Sequence, residues 1–140
     1  MTSDTTFALR EHTADVAVEA TGPDLGALFA AVADGLTAAQ TDDLPAGGDR
    51  FDLRVAAESR EAALFEYLDE LIYERDVRGV LPCDNEAAVT GTGDRWVVEA
   101  SARGLPLDAV AAREVKAVTY SEMAVERVGS GWRAYVVLDV

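Results

Sequence analysis

The residues with the most chemistry in this chain stand near its two ends. Glu11-His12-Thr13-Ala14-Asp15 packs an imidazole, a hydroxyl and two carboxylates into five positions, and His12 is the single histidine. Val16-Ala17-Val18-Glu19-Ala20 follows with the alternation of a half-buried strand. Asp15 therefore stands where a loop enters a sheet, a place that holds a side chain rigidly yet leaves it reachable. At the far end, Trp132 to Val140 reads as a strand running to the last residue. It sets the Asp139 side chain and the Val140 α-carboxylate one residue apart, in a terminus tied into the sheet. Hard divalent cations such as Ca²⁺ or Mg²⁺ take several oxygen ligands, with carboxylates supplying most of the affinity. The expectation is an anionic metal site of Asp15, Asp139 and the Val140 carboxylate, if the sheet brings the first loop to the end of the last strand. Spacing alone cannot establish that adjacency, and a penultimate aspartate is more often simply solvated.

The remaining reactive side chains are read more plainly. His12 has three available roles: metal ligand, general base, or a hydrogen-bonded residue that locks its loop through both ring nitrogens. With no second histidine, and Glu11 and Thr13 beside it, the structural role is favoured. Lys116 is the only lysine in a chain that otherwise uses arginine; by itself it reads as a surface ammonium. Cys83, the lone cysteine, has no base beside it and reads as a buried or inert thiol. Trp96 and Trp132 fall in strand patterns and read as core. Gly91-Thr92-Gly93 lacks the strand-to-helix context of a phosphate loop and reads as a turn. Asp42 and Asp43 belong to a solvated loop.

The elements that must position the two ends follow from periodicity. Phe7 to Arg10 is a short strand delivering the chain to His12. Gly22-Pro23 breaks the strand over 16–20, and Asp24 is the N-cap of a helix over 25–39, with Leu25, Leu28, Phe29, Val32 and Leu36 on one face. After a loop over 41–49, Phe51, Leu53 and Val55 alternate as a strand. Ser59 caps a second helix whose stripe is Ala62, Leu64, Phe65, Leu68, Leu71 and Ile72, ending before Gly79. Residues 80–83 and 87–89 are weaker strand candidates, 96–102 a clear one, and 115–126 is mostly strand. Gly129-Ser130-Gly131 turns the chain into the final strand. With short connections and a closing hairpin, this order predicts an α+β fold: two helices packed on one face of a mostly antiparallel sheet. No repeat, low-complexity stretch or long linker divides the chain, so residues 1–140 are expected to form a single domain.

Composition bounds the function. The 140 residues are 49% hydrophobic and 27% charged, a globular composition. One cysteine excludes an internal disulfide and a zinc cluster of several thiolates. No apolar run approaches a membrane span, and the start lacks the basic and apolar regions of a signal peptide. The expected location is the cytoplasm. The formal net charge is −14, from 26 Asp and Glu against 12 Lys and Arg. Such an excess reads first as solubility in a high-salt cytoplasm and second as acid awaiting a metal or a basic partner. Direct capture of nucleic acid is disfavoured, because no stretch supplies a basic patch. That objection weakens at molar salt, where screening shortens to about 3 Å.

Taken together, several stretches resemble the archease family. They are His12-Thr13-Ala14-Asp15-Val16, Leu28-Phe29, Leu64-Phe65-Glu66-Tyr67-Leu68 leading to Leu71-Ile72-Tyr73, Lys116-Ala117-Val118-Thr119-Tyr120, and Val136-Val137-Leu138-Asp139-Val140. They occur in order and cover essentially the whole chain. The resemblance implies a small α+β protein that is not itself an enzyme. It implies promotion of the guanylylation and multiple turnover of an RtcB-type RNA ligase in tRNA splicing, with relaxed nucleotide choice and with tRNA met only through the ligase. It implies a divalent metal, Ca²⁺ first and Mg²⁺ or Mn²⁺ as alternatives, held by Asp15 and Asp139 with Val140 contributing. It gives Lys116 functional weight. Many archaeal members carry histidine after the motif tyrosine, where this chain has Ser121, so a histidine pair is excluded here. The competing readings are a stand-alone metal-dependent hydrolase or nuclease, in which the same carboxylates would activate water, and a general protein chaperone.

Overall fold

The computed structural model describes residues 5–11 and 15–140. In chain order the elements are β1 (Thr6–Glu11), β2 (Asp15–Gly22), α1 (Leu25–Gln40), β3 (Asp49–Ala57), α2 (Arg60–Arg78), β4 (Val80–Thr92) and β5 (Arg95–Pro106). A 3₁₀ turn (Leu107–Ala109) then leads to β6 (Ala117–Val128) and β7 (Gly131–Asp139). Both helices start as their side chains dictate. Asp24 Oδ1 accepts from the Ala27 N–H at 2.8 Å, and Ser59 Oγ accepts from the Ala62 N–H at 3.0 Å, each satisfying a donor that the first turn leaves free. The second helix stops at Gly79, whose φ of 65° is the left-handed cap that glycine adopts without strain.

The α+β class is as expected, but the strands divide into two antiparallel sheets rather than one. The first has the order β1-β2-β7-β6 and the second β3-β5-β4. Alternation along a strand tells which face is buried and not which strand lies beside it, so this division is not written in the pattern. Two further differences concern strand limits. The weak candidates over 80–83 and 87–89 are one strand, interrupted by a bulge between Cys83 and Glu86 with Asp84 at φ 47°. Pro82 is tolerated because β4 is an edge strand. The strand expected from 115 begins at Ala117, and its pairing with β7 breaks between Thr119 and Ala124.

One continuous core joins both sheets to both helices. Val18, Val136 and Leu138 from the first sheet, and Leu53, Val98 and Ala102 from the second, meet Leu28, Phe29 and Val32 of α1 and Leu64, Tyr67, Leu68 and Leu71 of α2. Tyr67 is fully buried and stacks on Phe29, whereas Phe65, expected on the stripe, is only half-buried. The two tryptophans lie at the rim of the core rather than within it: both are half-buried, with the Arg60 guanidinium over each ring. Cys83 is buried, its thiol pushed up by burial, as an inert sulfur should be.

Gly35 sets how closely α1 approaches β2. A Cβ there would lie 2.5 Å from Val18 Cγ1, in the middle of the packed interior. Gly35→Ala adds about 1 kcal/mol of helix propensity. Overpacking at this point costs about 3 kcal/mol. The variant is therefore expected to lose about 2 kcal/mol of stability, read as a lowered urea midpoint with an unchanged slope. No helix among the described residues is long and apolar enough to cross a membrane.

Candidate metal centre

The two ends of the chain meet because β2 and β7 are neighbours. Their antiparallel register places Asp15 directly opposite Asp139, followed inward by Val16 opposite Leu138 and Ala17 opposite Val137. Directly opposed residues of such a pair send their side chains to one face, with Cβ atoms about 5 Å apart. Val16 and Leu138 point to the core, so the two aspartates share the outer face. On the other side of β7, Ala117 of β6 also stands opposite Asp139. Its methyl side chain crowds the carboxylate little. The Lys116 N–H donates to the Asp139 carbonyl at 2.8 Å, which ties the start of β6 to the end of β7.

The electrostatics of this row are unbalanced. Like charges directly opposite one another on a sheet repel. Among the described residues, neither aspartate has an ion-pair partner within 4 Å. Asp15 Oδ1 is buried and, among the described residues, accepts no hydrogen bond. An unmet buried carboxylate oxygen costs on the order of 1–3 kcal/mol or more, unless something else supplies positive charge. Asp139 is exposed, and Val140 is 41% exposed. Among the described residues no three His, Cys, Asp or Glu side chains gather as a cage. The oxygen set shown at this edge is therefore the two aspartate side chains. A hard cation takes six to eight oxygens, so such a set fits one and leaves several of its positions open to water or to another molecule.

Of the residues singled out from sequence, the structure brings together Asp15 and Asp139, with Lys116 alongside through its backbone; Val140 follows Asp139 in the chain and is exposed. The Lys116 side chain is exposed. His12 lies outside the described residues. Tyr120, which closes the Lys116 motif, leaves the β ladder and stacks on Phe65 of α2, with ring centroids 4.2 Å apart and planes within 4°.

A residue absent from the sequence reading holds this edge from behind. Arg75 of α2 is buried, and its Nη1 donates to Gln40 Oε1 and to the Val115 carbonyl, both at 2.9 Å. Gln40 is itself buried at the end of α1, and its carbonyl accepts the Arg113 N–H at 2.6 Å. The segment that enters Lys116 is thus clamped to both helices. The available signal was positional: Arg75 falls three to four residues after Leu71 and Ile72, on the apolar stripe, where an arginine needs buried partners.

Comparison with known proteins agrees with this architecture. The model of the Archease protein family matches residues 7–140. The chain belongs to the archease family. Among its archease relatives, the protein archease of Pyrococcus furiosus is 30% identical over 138 residues, covering 93% of this chain and 95% of that one. The protein archease of Thermococcus gammatolerans is 33% identical over 135 residues, with coverage of 93% and 95%. The archease fold is shared with the solution structure of Methanobacterium thermoautotrophicum protein 1598, at a TM-score of 0.83 and 26% identity over 96% of this chain and 98% of that one. A crystal structure from Thermotoga maritima, of an archease described as a possible chaperone, matches in fold with a TM-score of 0.60 at 24% identity over 94% of each chain.

Proposed function

We propose that this archease activates an RtcB-type tRNA-splicing RNA ligase, and that it does so with a divalent cation held by Asp15, Asp139 and the Val140 carboxylate. The observation that carries the reading is the direct cross-strand pairing of Asp15 with Asp139, with Asp15 Oδ1 buried and without a partner among the described residues. Two fixed carboxylates at an accessible edge can present an ion to another protein. Membership of the archease family supports a helper rather than a self-sufficient enzyme.

The residues divide the work. Asp15 supplies the preorganised oxygen, fixed by the sheet. Asp139 and the Val140 carboxylate supply exposed oxygens that a partner can approach. Lys116 places its compact ammonium beside an acidic edge, where it can meet a phosphate. A bound divalent cation would offset triphosphate charge and hold the reactive phosphorus in line with its nucleophile. Ca²⁺ suits an all-oxygen set with open positions, and Mg²⁺ or Mn²⁺ are the alternatives. The chain touches tRNA only through the ligase, since a net charge of −14 repels phosphate.

The test uses purified RtcB-type ligase with GTP and a divalent metal. Adding this protein is expected to increase guanylylated ligase and convert single-turnover joining into multiple turnover. If ligase labelling and turnover do not change over a concentration series, the activator reading is wrong. The second reading is a chaperone, favoured by the description of the Thermotoga relative as a possible chaperone. It predicts suppression of aggregation with unrelated clients, indifferent to Asp15.

A further inference from the structure

Beside the edge strand β1 lies a groove of ≈ 500 Å³ that the metal reading does not use. Its apolar surface comes from Phe7, Leu9 and Leu44, which are 39%, 38% and 44% exposed. Its acidic rim comes from Asp34, Asp42 and Asp84. Two of the three rim charges are already answered. Asp42 pairs with Arg113 at 3.1 Å and Asp84 with Arg103 at 2.7 Å. Asp34 is different: it accepts the Asn85 backbone N–H at 3.1 Å and the Asn85 amide at 2.9 Å, and among the described residues no cation pairs with it. Burial is the main cause of the rise in its carboxyl pKa, and the charge of Asp84 adds to it. One more feature borders the groove. Among the described residues β1 pairs with β2 alone, so its other edge is an open edge of the described sheet.

The geometry points to a docking site for an extended segment of a partner protein that carries an arginine or lysine between apolar side chains. The basic group would sit at Asp34, the apolar groups on Phe7, Leu9 and Leu44, and the backbone along the open edge of β1. Edge addition gives affinity through the main chain and specificity through alternate side chains. A guanidinium suits Asp34 because a carboxylate taken partly out of water pairs strongly with a charged donor. A second copy of the chain does not suit the groove. Two molecules of charge −14 repel, and the chain has only 12 cationic residues.

Position gives the site a use. Leu9 stands opposite Val18, three residues along β2 from Asp15, hence about 10 Å away along the strand. A protein anchored there would have its neighbouring surface next to the paired aspartates. The groove assignment stands without the metal reading, and its test involves neither metal nor ligase.

The experiment titrates the full-length ¹⁵N-labelled protein with three synthetic nine-residue peptides. One alternates valine with arginine, one replaces arginine with glutamate, and one replaces valine with serine. The first is expected to shift resonances of Phe7, Leu9, Asp34 and Leu44. The other two are expected to bind at least tenfold more weakly. Asp34→Lys is expected to weaken the first peptide by at least tenfold. Because Asp34 also holds Asn85, Leu44→Ser on the exposed rim, which removes apolar surface without adding charge, serves as a second variant and should weaken the first peptide with the rest of the spectrum unchanged. Shifts spread over the surface away from the groove, equal binding of the serine peptide, or affinity unaffected by Leu44→Ser would each overturn the assignment.

Discussion

Replacing Asp139 by asparagine is expected to weaken divalent-cation binding roughly a hundredfold, because carboxylate count largely sets affinity in an oxygen site. Ligase activation should fall with it. The same substitution should leave the metal-free protein as stable as before, or a few tenths of a kcal/mol more stable, since it removes one of two like charges facing each other across the β2–β7 ladder. A carboxylate kept for stability would behave in the opposite way. The pairing of a binding loss with a neutral or favourable stability change identifies a residue held in place for a ligand. Chemical denaturation with chelator present measures the second half, and guanylylation of the ligase measures the consequence. If Asp139→Asn lowered metal-free stability by about 2 kcal/mol or more, the size of a lost buried hydrogen bond, the aspartate would be a structural residue.

Arg75→Met is expected to cost about 3 kcal/mol of stability, the largest effect foreseen for any residue outside the apolar core. The substitution keeps the packed stem but withdraws Nη1 from Gln40 Oε1 and the Val115 carbonyl. Each buried acceptor left without a donor costs about 1–3 kcal/mol. The ion pair of Arg75 with Asp76 does not account for this, because Asp76 is 64% exposed and such pairs are worth about 0–1 kcal/mol. Asp76→Asn is therefore the control and should be nearly neutral. A lower urea midpoint for Arg75→Met, at unchanged slope, checks the magnitude. Loosening of the segment that enters Lys116 should appear as faster amide exchange at Val115 and Lys116. Equal stability losses for Arg75→Met and Asp76→Asn would refute the clamp.

How much of this was legible in the sequence divides along the range of the forces involved. Asp24 and Ser59 mark helix starts because a cap acts over three residues. Gly93 and Gly129 mark hairpin turns because each takes a positive φ, 59° and 58°, that favours glycine. The stripe of α2 predicted Leu64, Leu68, Leu71 and Ile72 in the core, where they lie. Beyond that range the pattern was silent. Nothing local separates β3, β4 and β5 from the other strands, and nothing local shows that the strand over 80–92 continues through Pro82 and a bulge. Tyr67 reads as a polar-tipped aromatic and is fully buried, with its hydroxyl unpartnered. Arg75 falls on the apolar stripe of α2, and nothing local names the Gln40 and Val115 acceptors it meets.

The meeting of Asp15 with Asp139 is the clearest case of a long-range feature. Each residue is ordinary in its own window, and only the antiparallel register of β2 with β7 makes them neighbours. Family resemblance pointed to both residues, and the register gives the physical reason they can act together. The groove beside β1 is of the same kind, assembled from β1, α1, the loop after it and the bulge in β4.

Calorimetric titration of Ca²⁺ into the metal-free protein, run beside Asp15→Asn, tests the paired-aspartate centre most directly. One saturable site is predicted for the natural chain, with stability rising by about 2.7 kcal/mol at a hundredfold excess over the dissociation constant. Both signals should vanish in Asp15→Asn. Identical binding by the natural chain and the variant, or no saturable binding of Ca²⁺, Mg²⁺ or Mn²⁺ by the natural chain, would contradict it.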